Sequence, residues 1–182
     1  MQLPLDGTGL SLAGGLLLSA SYQPQKVGSG WLNLHCIGPV TYDPLTVSIQ
    51  LAPWSPEGYR VEQGLGNKAL VVCGAPGIMV IELSSLRVTA AFALEYEECE
   101  PKGLPWFVHG NGVMLITTER RIFCVDERLA FRWCWTVAAY SNDRWEISRA
   151  PVLEGNTIQI DLMTPRKTAV AKLDLFTGAK LS

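Results

Sequence analysis

Three Gly-Asn dipeptides, at Gly66-Asn67, Gly110-Asn111 and Gly155-Asn156, recur at spacings of 44 and 45 residues, and this period constrains the fold more than any other feature of the chain. Self-similarity at such a period marks a repeated supersecondary unit that buries its apolar surface against its neighbours. Each dipeptide opens the same run. Gly-Asn is read as the positive-φ turn of a tight hairpin; an apolar strand follows, a polar or Gly-Pro turn reverses it, and a second apolar strand ends in an acid. Those acids are Glu82, Asp126 and Asp174, at offsets of 16, 16 and 19 from their glycines; the turn through Thr164, Pro165, Arg166 and Lys167 lengthens the last. Another short strand precedes each dipeptide, at residues 61–65, 105–109 and 150–154. One unit therefore holds three to four antiparallel strands, and the acids are read as turn-formers that accept backbone N–H bonds.

Frequent Gly and Pro (17 and 11) and apolar segments of four to seven residues rich in Val, Ile and Leu exclude a helical chain. The expected class is all-β. A unit of four strands every 40–50 residues is the arithmetic of a propeller blade. Residues 150–181 resemble a blade of the quinoprotein-like (PQQ-type) propeller family, whose repeats run through a strand, a hairpin and a D-x-x-T-G-x-x turn. Here that turn is Asp174, Leu175, Phe176, Thr177, Gly178, Ala179 and Lys180. The two preceding units depart from it, with Ser84-Ser85 and Arg128-Leu129 in place of Thr-Gly. Enzymes of that family bind their cofactor across a full ring of blades, which four units do not supply, so the resemblance implies the blade and carries over neither activity nor cofactor.

A fourth, degenerate unit is read from Gly28, with Asp43 at the acidic position. The expected organisation is a single domain, 1–182, with units at 28–58, 59–103, 104–148 and 149–182 and an N-terminal strand pair at 1–27. The architecture is then a small or incomplete β-propeller-like array of about four antiparallel blade-like sheets, with a β-sandwich as the alternative. Internal sheets of such an array are covered on both faces and should be apolar without interruption, whereas terminal sheets should alternate. Strands in the second and third units, such as Ala69-Leu70-Val71-Val72-Cys73 and Val113-Met114-Leu115-Ile116, fit the first pattern. Val47, Ile49 and Leu51, and Ile158, Ile160 and Leu162, alternate with polar residues and fit the second.

A net charge of −2 over 182 residues gives no general attraction to phosphate, so nucleic acid is not an expected partner. No apolar run approaches the length of a membrane span; the longest, residues 10–20, contains Gly14 and Gly15. Cys36, Cys73, Cys99, Cys124 and Cys134 are odd in number and contain no C-x-x-C pair, which suits reduced thiols and a cytoplasmic location. The alternative is a secreted or periplasmic protein, because Ser19, Ala20 and Ser21 follow the first apolar stretch. His35 and His109 come with no metal-binding spacing, and there is no nucleophile elbow, Walker loop or dinucleotide fingerprint. Neither metal nor cofactor is expected.

Two surfaces are the candidate sites. Glu95, Glu97, Glu98 and Glu100 surround Tyr96 and Cys99 in a connecting segment, a concentration of negative charge suited to steering a basic partner. Trp133, Trp135, Arg144 and Trp145, with Tyr140 nearby, are residue types that dominate interfaces when exposed and blade cores when buried. The leading reading is a non-enzymatic protein-binding module, in its concrete form a bacterial immunity-type protein that neutralises a basic partner. The rival reading is a small-molecule or carbohydrate binder that stacks its ligand on exposed Trp residues.

Overall fold

A computed structural model of the chain describes residues 10–11, 17–24, 30–37, 45–51, 60–66, 68–74, 77–85, 87–94, 105–139 and 144–181. The described residues are all-β: they form sixteen strands in four antiparallel sheets of four strands each and contain no α-helix, only a single 3-10 turn at Val137–Ala139. Cα packing divides the chain into two compact units, Met1–Pro101 and Lys102–Ser182, with two sheets in each. No helix among the described residues is long and apolar enough to cross a membrane.

In the first unit, β1 (Leu10–Ser11), β2 (Leu17–Pro24), β3 (Gly30–Ile37) and β4 (Leu45–Leu51) pair in sequence order. The segment expected as a separate strand pair, residues 1–27, thus supplies two strands of the first sheet. β1 pairs with β2, and β2 with β3, each antiparallel. Asp43 and the side chains of Val47, Ile49 and Leu51 lie outside the described residues.

The second sheet is another sequential meander: β5 (Arg60–Gly64), β6 (Ala69–Gly74), β7 (Gly77–Glu82) and β8 (Val88–Ala93). Ala69, Leu70, Val71, Ile78, Val80 and Ile81 are buried, as their unbroken apolar run predicts. Met79 and Gly77 are only half-buried, so β7 is less fully covered than its sequence suggests. An apolar run specifies what a face tolerates, not how much of it a neighbour covers. Outer strand β8 is mostly exposed, with Thr89 Oγ1 donating to the Val80 carbonyl where the β7–β8 register shifts.

In the second unit, β9 (Trp106–Gly110), β10 (Val113–Thr117), β11 (Arg121–Asp126) and β12 (Phe131–Thr136) make the third sheet. All of β10 and nearly all of β11 are buried, the two-sided burial expected of an internal sheet. One face, with Val113, Leu115, Ile122, Cys124, Trp133 and Trp135, packs against Ile158, Ile160, Leu162, Ala171 and Leu173 of the fourth sheet. Met114, Ile116, Phe123 and Val125 occupy the other face and are also buried.

The fourth sheet has β15 (Thr157–Met163) at its centre and β16 (Thr168–Asp174) on one flank. On the other flank β13 (Glu146–Ile147) and β14 (Val152–Glu154) are two pieces of one interrupted edge. Glu146 opposes Met163 and Val152 opposes Gln159, so the intervening residues carry a bulge. Burial alternates along β15 and β16, as expected for a sheet with one covered face.

Candidate functional site

The three Gly-Asn repeats build tight hairpins in three different registers. At the second, the two-residue loop between Gly110 and Val113 is Asn111-Gly112, both at positive φ (51° and 74°), a type I′ pattern. At the first, the positive-φ pair is Leu65-Gly66, and at the third Gly155 has φ 58°. Gly-Asn therefore marks the hairpin without fixing which residues take the left-handed conformation. The period has a direct physical expression: Asn111 Nδ2 donates to the Gly155 carbonyl at 2.6 Å, one repeat onward.

The repeated acids hold turns. Asp126 Oδ1 accepts the N–H groups of Arg128 (2.9 Å) and Ala130 (3.0 Å), which lets Leu129 adopt φ 63°. Asp174 Oδ1 accepts from the Phe176 and Thr177 N–H groups and from the Thr177 hydroxyl (3.1, 2.8 and 2.8 Å), and Glu82 accepts from the Ser85 hydroxyl. For Asp126 and Asp174 this is the backbone-accepting role read from their repeat position, whereas Glu82 takes a side-chain hydroxyl instead.

At one end of the second unit the 110–112 hairpin, the 126–130 turn and the 174–179 turn converge. Leu175 N–H donates to the Asn156 carbonyl at 2.9 Å, and Trp133 Nε1 donates to the Leu175 carbonyl at 3.0 Å, so the last turn is fixed against both sheets. Between these loops lies a cavity of about 580 Å³ lined by Asn111, Gly112, Val113, Cys124, Asp126, Glu127, Arg128, Arg132, Leu175 and Phe176. Sequence reasoning did not find it, because its walls come from residues as far apart as Asn111 and Phe176, about one and a half repeats. The one usable signal was that acids and arginines cluster at equivalent turns.

The chemistry of this cavity is restrained. Burial raises the Asp126 carboxyl, but the Ala130 and Arg128 N–H groups and the Arg132 charge outweigh it and hold the group below the ordinary carboxylate value. Its Oδ2 lies 2.6 Å from Arg132 Nη2, an ion pair without an aligned hydrogen bond. Ionised and engaged through both oxygens, Asp126 is a weak base. Cys124 is pushed up to about 12, by burial first and the Asp126 charge second, against the lowering effect of Arg132. At neutral pH it is a protonated thiol and not a nucleophile. The rim differs: Phe176 is 57% exposed, next to the exposed side chains of Arg128 and Arg132.

Of the residues singled out in the sequence, Glu95, Tyr96, Glu97, Glu98 and Glu100 lie outside the described residues, as does Tyr140. Trp133, Trp135 and Trp145 are brought together, but in the core: they are 8%, 6% and 8% exposed and belong to one cluster with Ile147, Ile158 and Leu173. On β12, alternation with exposed Arg132, Cys134 and Thr136 turns the Trp133 and Trp135 indoles inward. Trp106 is half-buried against the same cluster. These four indoles offer no fully open stacking platform of the kind a carbohydrate site needs. Arg144 is exposed.

No protein-family model matches the chain, and no similar protein was found among curated sequences. Similar solved structures include a europium-containing methanol dehydrogenase (14% identity, TM-score 0.45, covering 63% of this chain and 22% of that one). A quinohemoprotein alcohol dehydrogenase from Pseudomonas putida is 12% identical, with TM-score 0.44 over 62% of this chain and 18% of that one. The AfRom2 CNH domain is 14% identical, with TM-score 0.38 over 96% of this chain and 52% of that one. The chain thus spans between about a fifth and a half of the solved chains it matches. At these identities their activities do not transfer to it.

Proposed function

We propose that this chain is a non-enzymatic protein-binding module, of the immunity type, that neutralises a basic partner in the cytoplasm. The observation that carries the reading is Phe176, more than half exposed on the cavity rim beside Arg128 and Arg132. Exposed aromatic and arginine side chains around a depression are the composition of interface anchors, which gain most when a partner excludes water from them. A protonated Cys124 and a fully engaged Asp126 support binding over catalysis at the same place. The acidic segment at 95–100 adds long-range attraction for a cationic protein, which accelerates encounter more than it strengthens the complex.

The test is affinity capture from the native host at low and high salt, with the retained proteins identified by mass spectrometry. Wild type is compared with Phe176→Ser/Arg128→Ser and with a variant in which Glu95, Glu97, Glu98 and Glu100 become Gln. A basic protein retained in stoichiometric amount, lost with the first variant and with its salt dependence flattened in the second, supports the reading. Retention of the same proteins by all three overturns it.

A further inference from the structure

The depression at the end of the second unit carries two opposite charges that the fold leaves uncommitted. Of the charged residues that line it, Asp126 and Arg132 pair with each other at 2.6 Å. The other two, Glu127 and Arg128, are exposed, and among the described residues neither side chain has a hydrogen-bond or ion-pair partner, each other included. Their backbone is nonetheless fixed. Asp126 Oδ1 accepts the Arg128 and Ala130 N–H groups, the Asp126 N–H donates to the Ala130 carbonyl at 3.0 Å, and Leu129 between them is buried. The Glu127 carboxylate lies against the facing hairpin, where its Oε2 is 3.7 Å from the place a Cβ on Gly112 would take. In that hairpin Asn111 donates through Nδ2 to the Gly155 carbonyl and keeps Oδ1 as an acceptor with no partner among the described residues.

This arrangement selects the charge of a ligand. The Asp126–Arg132 pair is neutral as a unit, so Glu127 and Arg128 set the field at the rim. A simple anion is attracted by Arg128 and repelled by Glu127, and a simple cation the reverse. A wholly apolar ligand would cover two ions without pairing either, which costs free energy. A ligand bearing both signs satisfies both. The two charges it needs lie close together, because Glu127 and Arg128 are consecutive, with Cα atoms about 3.8 Å apart. The ammonium and carboxylate of an α-amino acid hang from a single carbon and meet that requirement. Val113, Leu175 and Phe176 give its side chain an apolar wall, and a volume of about 580 Å³ is in the range of small-ligand sites.

We infer that this depression binds a small zwitterion, an α-amino acid with an apolar side chain. Its ammonium donates to the Glu127 carboxylate and the Asn111 amide oxygen, its carboxylate accepts from the Arg128 guanidinium, and its side chain lies against Phe176. The ligand contacts Phe176 and Arg128, which also anchor the protein partner proposed above, so the two occupants exclude each other. The inference goes beyond that reading and does not depend on it, since Glu127 and Asn111 have no part in protein capture.

The test titrates the full chain with L-phenylalanine by calorimetry and follows the backbone amide signals of Gly112, Glu127 and Phe176 by NMR. Three control ligands each lack one element: 3-phenylpropionate the ammonium, phenethylamine the carboxylate and glycine the side chain. L-phenylalanine is expected to saturate and to shift those three signals, with about tenfold or greater loss of affinity for each control, the fold-change of one hydrogen bond to a charged group or of one buried side chain. Glu127→Gln should remove the preference for L-phenylalanine over 3-phenylpropionate, and Arg128→Gln the preference over phenethylamine. Both replacements are on exposed side chains; should either variant fail to fold by circular dichroism, the control ligands carry the same question on the wild-type chain. No saturation by about 10 mM, equal binding of 3-phenylpropionate or phenethylamine, or shifts confined to other residues overturns the inference. No partner is present in this assay, so a negative result leaves the protein-binding reading standing, whereas saturable binding together with an empty affinity capture supports the inference and overturns that reading alone.

Discussion

Gly178→Ala tests how the last turn is locked to the core of the second unit. Gly178 has φ 68°, and its N–H closes the turn on the Asp174 carbonyl at 2.9 Å. An L-residue held in this region costs about 1–2 kcal/mol. A Cβ there would also stand 2.6, 2.7 and 3.0 Å from Cδ2, Cε3 and Cγ of Trp133. The indole has little room to retreat, because it is buried and its Nε1 is bonded to the Leu175 carbonyl. Overpacking of this kind adds about 1–3 kcal/mol. The expected loss is about 2–5 kcal/mol in the urea unfolding of the second unit, followed by circular dichroism and tryptophan emission. Gly155→Ala is the matched control: φ is 58°, but no atom lies within 4 Å of the added carbon, so only the backbone cost of about 1–2 kcal/mol applies. Equal losses in the two variants, within about 0.5 kcal/mol, would refute the Trp133 contact as the source of the difference.

Thr117 Oγ1 is fully buried without a hydrogen-bond partner, so Thr117→Val, which keeps the shape and removes the hydroxyl, should stabilise the second unit by about 1 kcal/mol in the same urea assay. Asp126→Asn should destabilise it by about 1–3 kcal/mol at pH 7, because a charged acceptor of two N–H groups and the partner of Arg132 is lost. Since the folded carboxyl titrates below its ordinary value of 3.8, this stabilisation is complete above that pH and disappears as the pH falls through the folded value; the gap between wild type and variant should close on acidification. In the native protein at pH 8, iodoacetamide should modify exposed Cys134 and spare buried Cys124, as read by peptide mass spectrometry; labelling of both would show that the thiol held near 12 is accessible and ionised.

What the sequence disclosed is what a single strand or turn can encode. The 44-residue period survives as the Asn111–Gly155 hydrogen bond, and the repeated acids were recognisable because a turn that exposes two or three N–H groups needs a nearby acceptor. Two-sided burial of β10 and β11 was legible from Val113 to Ile116 and from Ile122 to Val125, because no polar side chain interrupts either run. Met79 shows the limit: its apolar character permits burial but leaves its depth to whatever packs there. Trp133 shows the same limit from the other side. Composition admitted it equally to a surface or a core, and its placement was decided by Leu175 and Gly178, more than forty residues away.

The cavity was hidden because it arises from how one repeat departs from the next. Asp126 and Asp174 hold equivalent turns, yet only Asp126 has Arg132 against its second oxygen, so the two turns meet with unlike charge patterns and leave a lined depression between them. A repeat pattern finds the positions that agree, and agreement is what packing requires. Candidate surfaces in such an array lie where equivalent positions are filled differently, because there a side chain such as exposed Phe176 is left uncovered.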